Sequence, residues 1–271
     1  DDGCYIVSQR IADNRETLMT ENLYASPSPE NDPVALKAGS KSWPLHLLWI
    51  VPVGCLVIAL MLPCQRRVRE AGKRTQCKNN LKQIGLALHN YHDTYGAFPP
   101  AYTVDADGKR LHSWRTLILP YLDQAPLYDK IDFSKPWDDP VNAEAAKTQL
   151  HAYHCPSAPG SSTNTSYVVV VGANTCFPGT DSRAISDITD GASNTIMVVE
   201  VDSENSVHWM SPMDVEEQFV LSVGPKSKVS HTGGLHVLLA DGYARFVSYG
   251  LAQKVRHALM TINAADTIGD F

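Results

Sequence analysis

Two residues near the C-terminal end of the chain are of the types that acid–base chemistry uses. His231 and the dipeptide Asp241-Gly242 form an H-x9-DG pattern, and an imidazole held beside a carboxylate can orient a nucleophile. No serine or cysteine stands beside this pair in a recognisable motif. The sequence also lacks G-x-S-x-G, H-E-x-x-H, the P-loop and G-x-G-x-x-G. The pattern therefore favours a structural turn over a catalytic pair, and the chain is predicted not to be an enzyme.

Histidine pairs are the first candidates for metal ligands. His89 and His92 lie three residues apart on one face of a predicted helix, and His151 and His154 repeat that interval. Either pair has the spacing to ligate a metal ion. A histidine beside a tyrosine, as here, more often packs its ring and hydrogen-bonds a neighbouring backbone group. Packing is therefore the favoured interpretation, with metal binding as the alternative.

A second candidate for ion binding is rich in oxygen ligands. The stretch DITDGASN contains Asp187, Asp190 and Asn194, whose oxygens are of the kind that calcium binds. The spacing does not match an EF-hand loop, and Asp190-Gly191 is typical of a turn whose polar side chains bond local backbone. We expect no cofactor, with calcium as the alternative at these residues.

The cysteines give no metal or redox motif. All six are scattered without a C-x-x-C pair, which argues against a zinc ribbon and a thioredoxin-type site. In an oxidising compartment Cys155 and Cys176 could form a disulfide, which would leave Cys77 unpaired in the same part of the chain. Free thiols are the alternative.

Composition excludes one class of partner. Hydrophobic residues make up 44% of the 271 residues, enough to build a core, and the net charge is -6. No basic surplus is present, so nucleic acid is not an expected partner. The polar, acidic residues 1–43, with the Pro- and Ser-rich ASPSPENDP, are predicted to be mostly disordered.

The elements that would position these residues begin with an apolar segment. Residues 45–62, LHLLWIVPVGCLVIALML, contain no Asp, Glu, Lys or Arg, and their length is close to what a helix needs to cross hydrocarbon. The following stretch places Cys77, Leu81, Ile84, Leu88, Tyr91 and Tyr95 at helical spacing. Gly96 and the prolines after it would end that helix. We therefore predict one continuous helix, a transmembrane half followed by an amphipathic half, about 70 Å long.

Strand patterns dominate the rest of the chain. SYVVVVGA, NTIMVVEV, FVLSV, GLHVLLA and YARFV all have strand character. Asp241-Gly242 separates the last two and favours a β-hairpin in which both central residues have positive φ. Loops rather than crossover helices join these strands, so the sheet is expected to be antiparallel. The predicted fold class is α+β, a long N-terminal helix packed on an antiparallel sheet, with residues 63–271 as one domain.

Four stretches together resemble a family of bacterial proteins of unknown function that have a prepilin-type N-terminus and a C-terminal H-x9-DG motif. They are IALMLPCQRRVREAGKRTQCKNNLKQIGLALHNYHDTYGAFPPAY, HCPSAPG, SDITDGASNTIMVVEV and HTGGLHVLLADGYARFV. The family looks like pseudopilins fused to an expanded β-rich domain and is also labelled solute-binding-like. The resemblance implies a pilin-like fold and an extracytoplasmic location, and it brings no catalytic residues.

The chain departs from this family at the prepilin peptidase site. Where the family has Gly, Phe-Thr and a Glu, this chain has Lys41, Ser42, Trp43 and His46. Pro52 also predicts a kink inside the apolar segment. These differences favour an anchored relative of pseudopilins over a polymerising one.

Two functions follow as expectations. The first is a single-pass, membrane-anchored structural or assembly protein of the bacterial envelope, with its C-terminal domain outside the cytoplasm and other envelope or secretion-type subunits as partners. The alternative is an extracytoplasmic module that binds a glycan, a peptide or a metal through loops bearing Trp114 and Trp137.

Overall fold

The computed structural model describes residues 47–158, 161–224, 227 and 230–264. The predictions for residues 1–43 lie outside this range. The chain divides into two compact units, Asp1–Cys55 and Leu56–Phe271. Every element after the first helix belongs to the second unit.

The first element of the described residues is the long helix α1, which runs from Leu47 to Tyr95. It continues through Pro52 and Pro63, as the prediction of a single helix requires. It ends at Gly96, whose backbone N–H donates to the His92 carbonyl at 2.7 Å and whose φ is +78°. Glycine is favoured there because the left-handed conformation penalises residues with a Cβ.

The predicted apolar stripe on α1 is confirmed over most of its length. Its buried positions are Cys77, Leu81, Ile84 and Leu88. Tyr95, at the end of the stripe, is 63% exposed. From 68 to 76 the helix is exposed except for two half-buried basic residues, Lys73 and Arg74. Among the side chains described from 68 onward, full burial against the sheet domain therefore begins at Cys77.

Within the described part of the chain, no helix is both long and apolar enough to cross a membrane. Leu45, His46 and most side chains from there to Arg67 lie outside the described residues. The prediction of a transmembrane segment at 45–62 stays a prediction.

The main sheet has five strands in the order β7-β4-β5-β8-β9. The strands are β4 (Tyr167–Val171), β5 (Ile196–Glu200), β7 (Val215–Glu216), β8 (Gly234–Leu239) and β9 (Ala244–Ser248). Four of the predicted strand segments are thereby confirmed, and their pairings are antiparallel. One short parallel pair, β4 with β7, makes the sheet mixed at one edge.

Both faces of this sheet are buried. Along β4, Tyr167 and Val169 pack into the core that contains the α1 stripe, whereas Val168 and Val170 pack into a second core. Alternate residues of a strand point to opposite faces, so a strand covered on both faces can be apolar throughout. The run YVVVV is therefore explained by helices and loops on both sides.

The second core corrects one predicted strand. FVLSV lies mostly in helix α5 (Glu217–Ser222), where Val220 and Val223 bury against the second face of the sheet. A short apolar run fits a strand and a buried helical turn equally well. With α6 (Gln253–Ala258), α5 forms a third layer that the expected two-layer arrangement did not contain.

The remaining elements are short. A hairpin of β1 (Tyr102–Val104) and β2 (Arg110–Ser113) and a pair of β3 (Asn164–Thr165) with β6 (Val207–His208) lie outside the main sheet. The short helices between them are α2 (Trp114–Leu117), α3 (Ala125–Tyr128) and α4 (Ala143–Ala146).

The predicted β8–β9 hairpin is confirmed, but its turn differs in detail. Gly242 has a φ of +82°, whereas Asp241 does not have positive φ. The Asp241 carboxylate accepts a hydrogen bond from the Tyr243 N–H at 2.9 Å. The turn lies under α1, because a Cβ on Gly85 would come within 3.3 Å of the Gly242 carbonyl oxygen. The glycines thus allow helix and hairpin to approach closely.

A buried ion pair ties α2 to the edge of the sheet. Arg115 Nη1 lies 2.7 Å from Asp214 Oδ1, and both side chains are almost completely buried. The remaining guanidinium N–H groups donate to the backbone carbonyls of Tyr167, Trp209, Ser211 and Met213. Asp214 in turn accepts from the Val169 N–H and the Trp114 indole. Both the guanidinium and the carboxylate therefore have hydrogen-bond partners, as buried charges require.

Candidate metal centre

Four segments that are distant in sequence bring one potential metal ligand each to a single buried point. The residues are Cys77 on α1, Cys155 after the 3-10 turn His151–Tyr153, Glu200 at the end of β5, and His231 just before β8. Each residue comes from a different one of the four stretches that carry the family resemblance. Their ligand atoms all lie within 4.8 Å of one another, and all four residues are buried.

The closest approaches converge on one nitrogen of His231. Its Nε2 lies 3.8 Å from the Cys155 Sγ and 3.3 Å from the Glu200 Oε1. The Glu200 Oε1 is buried, and its contact with His231 does not meet hydrogen-bond geometry among the described residues. A buried carboxylate oxygen normally has a well-aligned donor or a cation as its partner.

The ionisation of the cluster follows from its hydrogen bonds. Burial favours the neutral form of Glu200, but the close approach of His231 and the hydrogen bond from His236 outweigh it and hold the pKa of the carboxyl at about 2. Burial likewise favours the neutral form of His231, yet its contacts with Cys155 and Glu200 raise the pKa of the ring to about 9. The hydrogen bond with Cys77 and then burial raise the pKa of Cys155. In this arrangement the thiol is neutral and the His231–Glu200 pair is charged.

An outer ring of polar groups fixes the cluster. His236 Nδ1 lies 2.9 Å from Glu200 Oε2, so it orients the second carboxylate oxygen. Asn80, one turn along α1 from Cys77, donates to the carbonyls of His151 and His154 at 3.2 and 2.9 Å. It thereby ties the loop that carries Cys155 to the helix. The Tyr167 hydroxyl lies beside Cys77, and burial followed by the two thiols raises its pKa well above the ordinary value.

The same geometry argues against a cysteine-protease-like triad. In such a triad one ring nitrogen faces the nucleophile and the other faces the carboxylate. Here Cys155 and Glu200 both approach Nε2 of His231, while Nδ1 is buried without a hydrogen-bond partner among the described residues. The cysteine is also fully buried. The arrangement suits convergence on a bound ion better than activation of a nucleophile.

The candidates that the sequence singled out are placed differently from this cluster. His231 belongs to it, but Asp241 does not, since its carboxylate serves the hairpin turn. The two ends of the H-x9-DG pattern therefore have separate roles, one before β8 and one after it. His231 reaches the cluster near Cys77, and Gly242 packs against α1 near Gly85.

The histidine pair on α1 has other partners. The His92 Nε2 accepts a hydrogen bond from the Ile185 N–H at 3.1 Å. The His89 ring packs edge-on against Phe98 and lies against Gly242. Across the described ranges, His89 and His92 take part in no group of three or more potential metal ligands.

The oxygen-rich stretch is likewise occupied by local bonds. The Asp187 carboxylate accepts from the Ala184 N–H at 2.9 Å, and the Asp190 carboxylate accepts from the Ala264 N–H at 2.7 Å. The Asn194 amide donates to the Asp190 carbonyl. These bonds match the turn interpretation, and calcium binding there stays an untested prediction.

The expected disulfide is not formed. Cys155 and Cys176 are both free thiols, and Cys155 has Cys77 and His231 as its neighbours. Cys176 lies beside Phe177, in the turn that follows β4, and is fully buried. The disulfide was one of two alternatives for cysteines in the same part of the chain, and in the structure Cys176 lies outside the cluster that holds Cys155.

The structure also shows where the two tryptophans proposed for ligand capture lie. Trp114 is completely buried, and its indole donates to Asp214, so it is core material. Trp137 is half-buried and stacks on His208 with ring centroids 4.8 Å apart. Trp114 therefore offers no binding surface.

Sequence reasoning missed Cys77 and Glu200 as site residues, because no short motif links them to His231. A sequence signal for the site was present nonetheless, since each of the four family-like stretches contains one of the four cluster residues.

No curated protein and no solved structure gives a significant match to the chain. A family model described as "Protein of unknown function (DUF1559)" matches residues 66–181, which include Cys77 and Cys155, and the predicted resemblance to this family is confirmed.

Proposed function

We propose that this protein is a membrane-anchored, pseudopilin-like structural subunit of the bacterial envelope, without catalytic activity, whose domain lies outside the cytoplasm. The observation that carries the proposal is the form of α1. It is one helix from Leu47 to Tyr95 whose C-terminal part packs on a mainly antiparallel sheet. Residues 47–62 of the apolar sequence form the other end of the same helix.

The distribution of exposed apolar residues on α1 supports an assembly role. Val68 and Leu86 are each 64% exposed, although Leu86 lies on the part of the helix whose opposite face is buried. Single exposed apolar residues are ordinary, whereas apolar residues that share a surface mark protein contacts. Val68 and Leu86 are five helical turns apart and therefore lie on the same face of α1. We propose that this outer face of α1 meets other envelope or secretion-type subunits.

The membrane anchor is tested by two charges placed in the apolar segment. We expect Val53→Arg combined with Val57→Arg to move the full chain from the carbonate-resistant membrane fraction to the supernatant. The reason is that each arginine near the centre of a membrane helix costs about 2.5–3.5 kcal/mol. Asn79→Arg, at an exposed position of α1, is the matched control and should stay with the membranes. Recovery of the unmodified chain in the soluble fraction would contradict the anchor.

The assembly surface is tested by photo-crosslinking in cells. A photoreactive residue in place of Val68 or Leu86 is expected to give crosslinked adducts, because these side chains face outward on α1. The same residue in place of Asp107, in the exposed β1–β2 turn, is the control and should give none. Equal crosslinking from all three positions, or none from any, would argue against a subunit contact on this face.

The alternative function, capture of a ligand, has one observation in its favour. A cavity of about 280 Å³ borders the Glu200 end of β5 and is lined in part by Asp202, Asn205 and Phe219. Polar groups around an aromatic ring suit a small polar ligand such as a sugar. A panel of carbohydrates at millimolar concentration tests this alternative, since a bound ligand raises the melting temperature. An unchanged melting temperature across the panel counts against capture.

A further inference from the structure

We propose that Cys77, Cys155, Glu200 and His231 bind one zinc ion in a closed structural site that fastens α1 to the sheet. This inference goes beyond the proposed function, because it concerns the interior of the domain and does not depend on a membrane or a partner. The donor set is two sulfurs, one imidazole nitrogen and one carboxylate oxygen. These are the ligand types that Zn²⁺ takes in proteins.

The distances suit a tetrahedral ion. Zinc binds sulfur at about 2.3 Å and nitrogen or oxygen at about 2.0–2.2 Å, which in a tetrahedron sets sulfur about 3.6 Å from nitrogen and nitrogen about 3.3 Å from oxygen. The structure has 3.8 Å between Cys155 Sγ and His231 Nε2, and 3.3 Å between that nitrogen and Glu200 Oε1. All the ligand atoms lie within 4.8 Å of one another. Only small side-chain adjustments separate this arrangement from zinc coordination.

The polar surroundings favour an ion over a purely hydrogen-bonded cluster. The Glu200 Oε1 faces the cluster from a side chain that is 2% exposed, and His231 Nε2 approaches it at 3.3 Å without meeting hydrogen-bond geometry among the described residues. The other oxygen of this carboxylate is held by His236. A metal-binding carboxylate typically has such an outer partner. Glu200 is thus oriented with one oxygen held and the other directed at the cluster.

Four protein ligands leave no coordination position for a substrate or water, which distinguishes a structural zinc site from a catalytic one. The ligands come from α1, the loop after the 3-10 turn, β5 and the segment before β8. One ion would therefore join the helix to the centre of the sheet. Binding replaces the thiol protons of Cys77 and Cys155 and the Nε2 proton of His231, and these protons pass to the solvent.

The first test measures the zinc content of the purified full chain. The chain is stripped with a chelator under reducing conditions, given Zn²⁺ alone and freed of excess by gel filtration. We expect about one zinc per chain in the unmodified protein and less than about a tenth of that in Cys77→Ser and Cys155→Ser. Cys176→Ser is the matched control, since Cys176 is a buried free cysteine outside the cluster, and it should keep about one zinc. Retention of zinc by the cluster variants would overturn the proposal.

A second test does not depend on whether those variants fold. Cobalt added to the unmodified chain should give the visible d–d absorption of a tetrahedral ion together with thiolate-to-cobalt charge transfer. We also expect His236→Gln to weaken zinc binding about 10–100-fold, the usual effect of removing an outer-shell partner, whereas His257→Gln, at an exposed position of α6, should not. Absence of the cobalt spectrum would overturn the proposal. So would a Cys77–Cys155 disulfide found by peptide mapping of the unreduced, purified chain.

Discussion

Arg115→Met is expected to lower the free energy of unfolding by about 3–5 kcal/mol, because it leaves the Asp214 carboxylate buried without its cation. The lost side chain also withdraws hydrogen bonds from four backbone carbonyls in and next to the sheet. Equilibrium unfolding in urea, followed by tryptophan fluorescence, measures the loss. Arg69→Met makes the same chemical change at an exposed position of α1 and should change the stability by less than about 0.5 kcal/mol.

A double variant separates the ion pair from simple packing. Asp214→Asn keeps an oxygen that can accept from the Val169 N–H and the Trp114 indole, but it removes the charge. Combined with Arg115→Met, it should therefore recover part of the loss, since no unpaired charge is left in the interior. If the double variant were as unstable as the sum of the two single ones, the charge interaction would not be the cause.

Glu200→Gln is the second substitution with a large expected effect, a loss of about 3 kcal/mol in chelator-treated protein. The carboxylate lies 3.3 Å from His231 and 2.9 Å from His236, so the neutral amide removes the charge that both rings face. Working without metal assigns the loss to these contacts rather than to zinc. Thermal unfolding of the stripped chain at neutral pH is the measurement.

The control for this change is Glu144→Gln, at an exposed position in α4. It should leave the melting temperature nearly unchanged. A Glu200→Gln protein as stable as the unmodified chain would mean that packing alone holds β5 against β8 at this point. In that case the charge of the Glu200 carboxylate would not contribute to the stability of the fold.

The sequence predicted those parts of the fold that periodicity encodes. The α1 stripe follows from the spacing of Leu81, Ile84 and Leu88, and the β8–β9 hairpin follows from two apolar runs around Asp-Gly. The strand prediction for FVLSV was wrong because a five-residue run with four apolar residues has no period that distinguishes a strand from a turn of helix. The pairing of Arg115 with Asp214 could not be predicted from the sequence either, because charged residues are rarely buried and nothing in the sequence marks these two as exceptions.

The candidate site shows the same limit more sharply. Metal motifs are recognised when ligands lie a few residues apart, whereas Cys77, Cys155, Glu200 and His231 each come from a different element. His231 was selected from sequence with the wrong partner, because Asp241 was near in the chain and Glu200 was not. The partner of His231 is determined by strand pairing, because β5 and β8 are neighbours in the sheet and bring Glu200 to His231.

The wide spacing of the four cluster residues also bears on how the chain matures during translation. Cys77 leaves the ribosome well before its partner His231, which lies more than 150 residues later in the chain. Helix α1 can form at once from local contacts, whereas its docking must wait for these long-range ones, which are slow to close. Until then Cys77 and Cys155 remain accessible thiols on a nascent polypeptide. Oxidants and chaperones therefore have access, during synthesis, to two thiols that are completely buried in the folded domain.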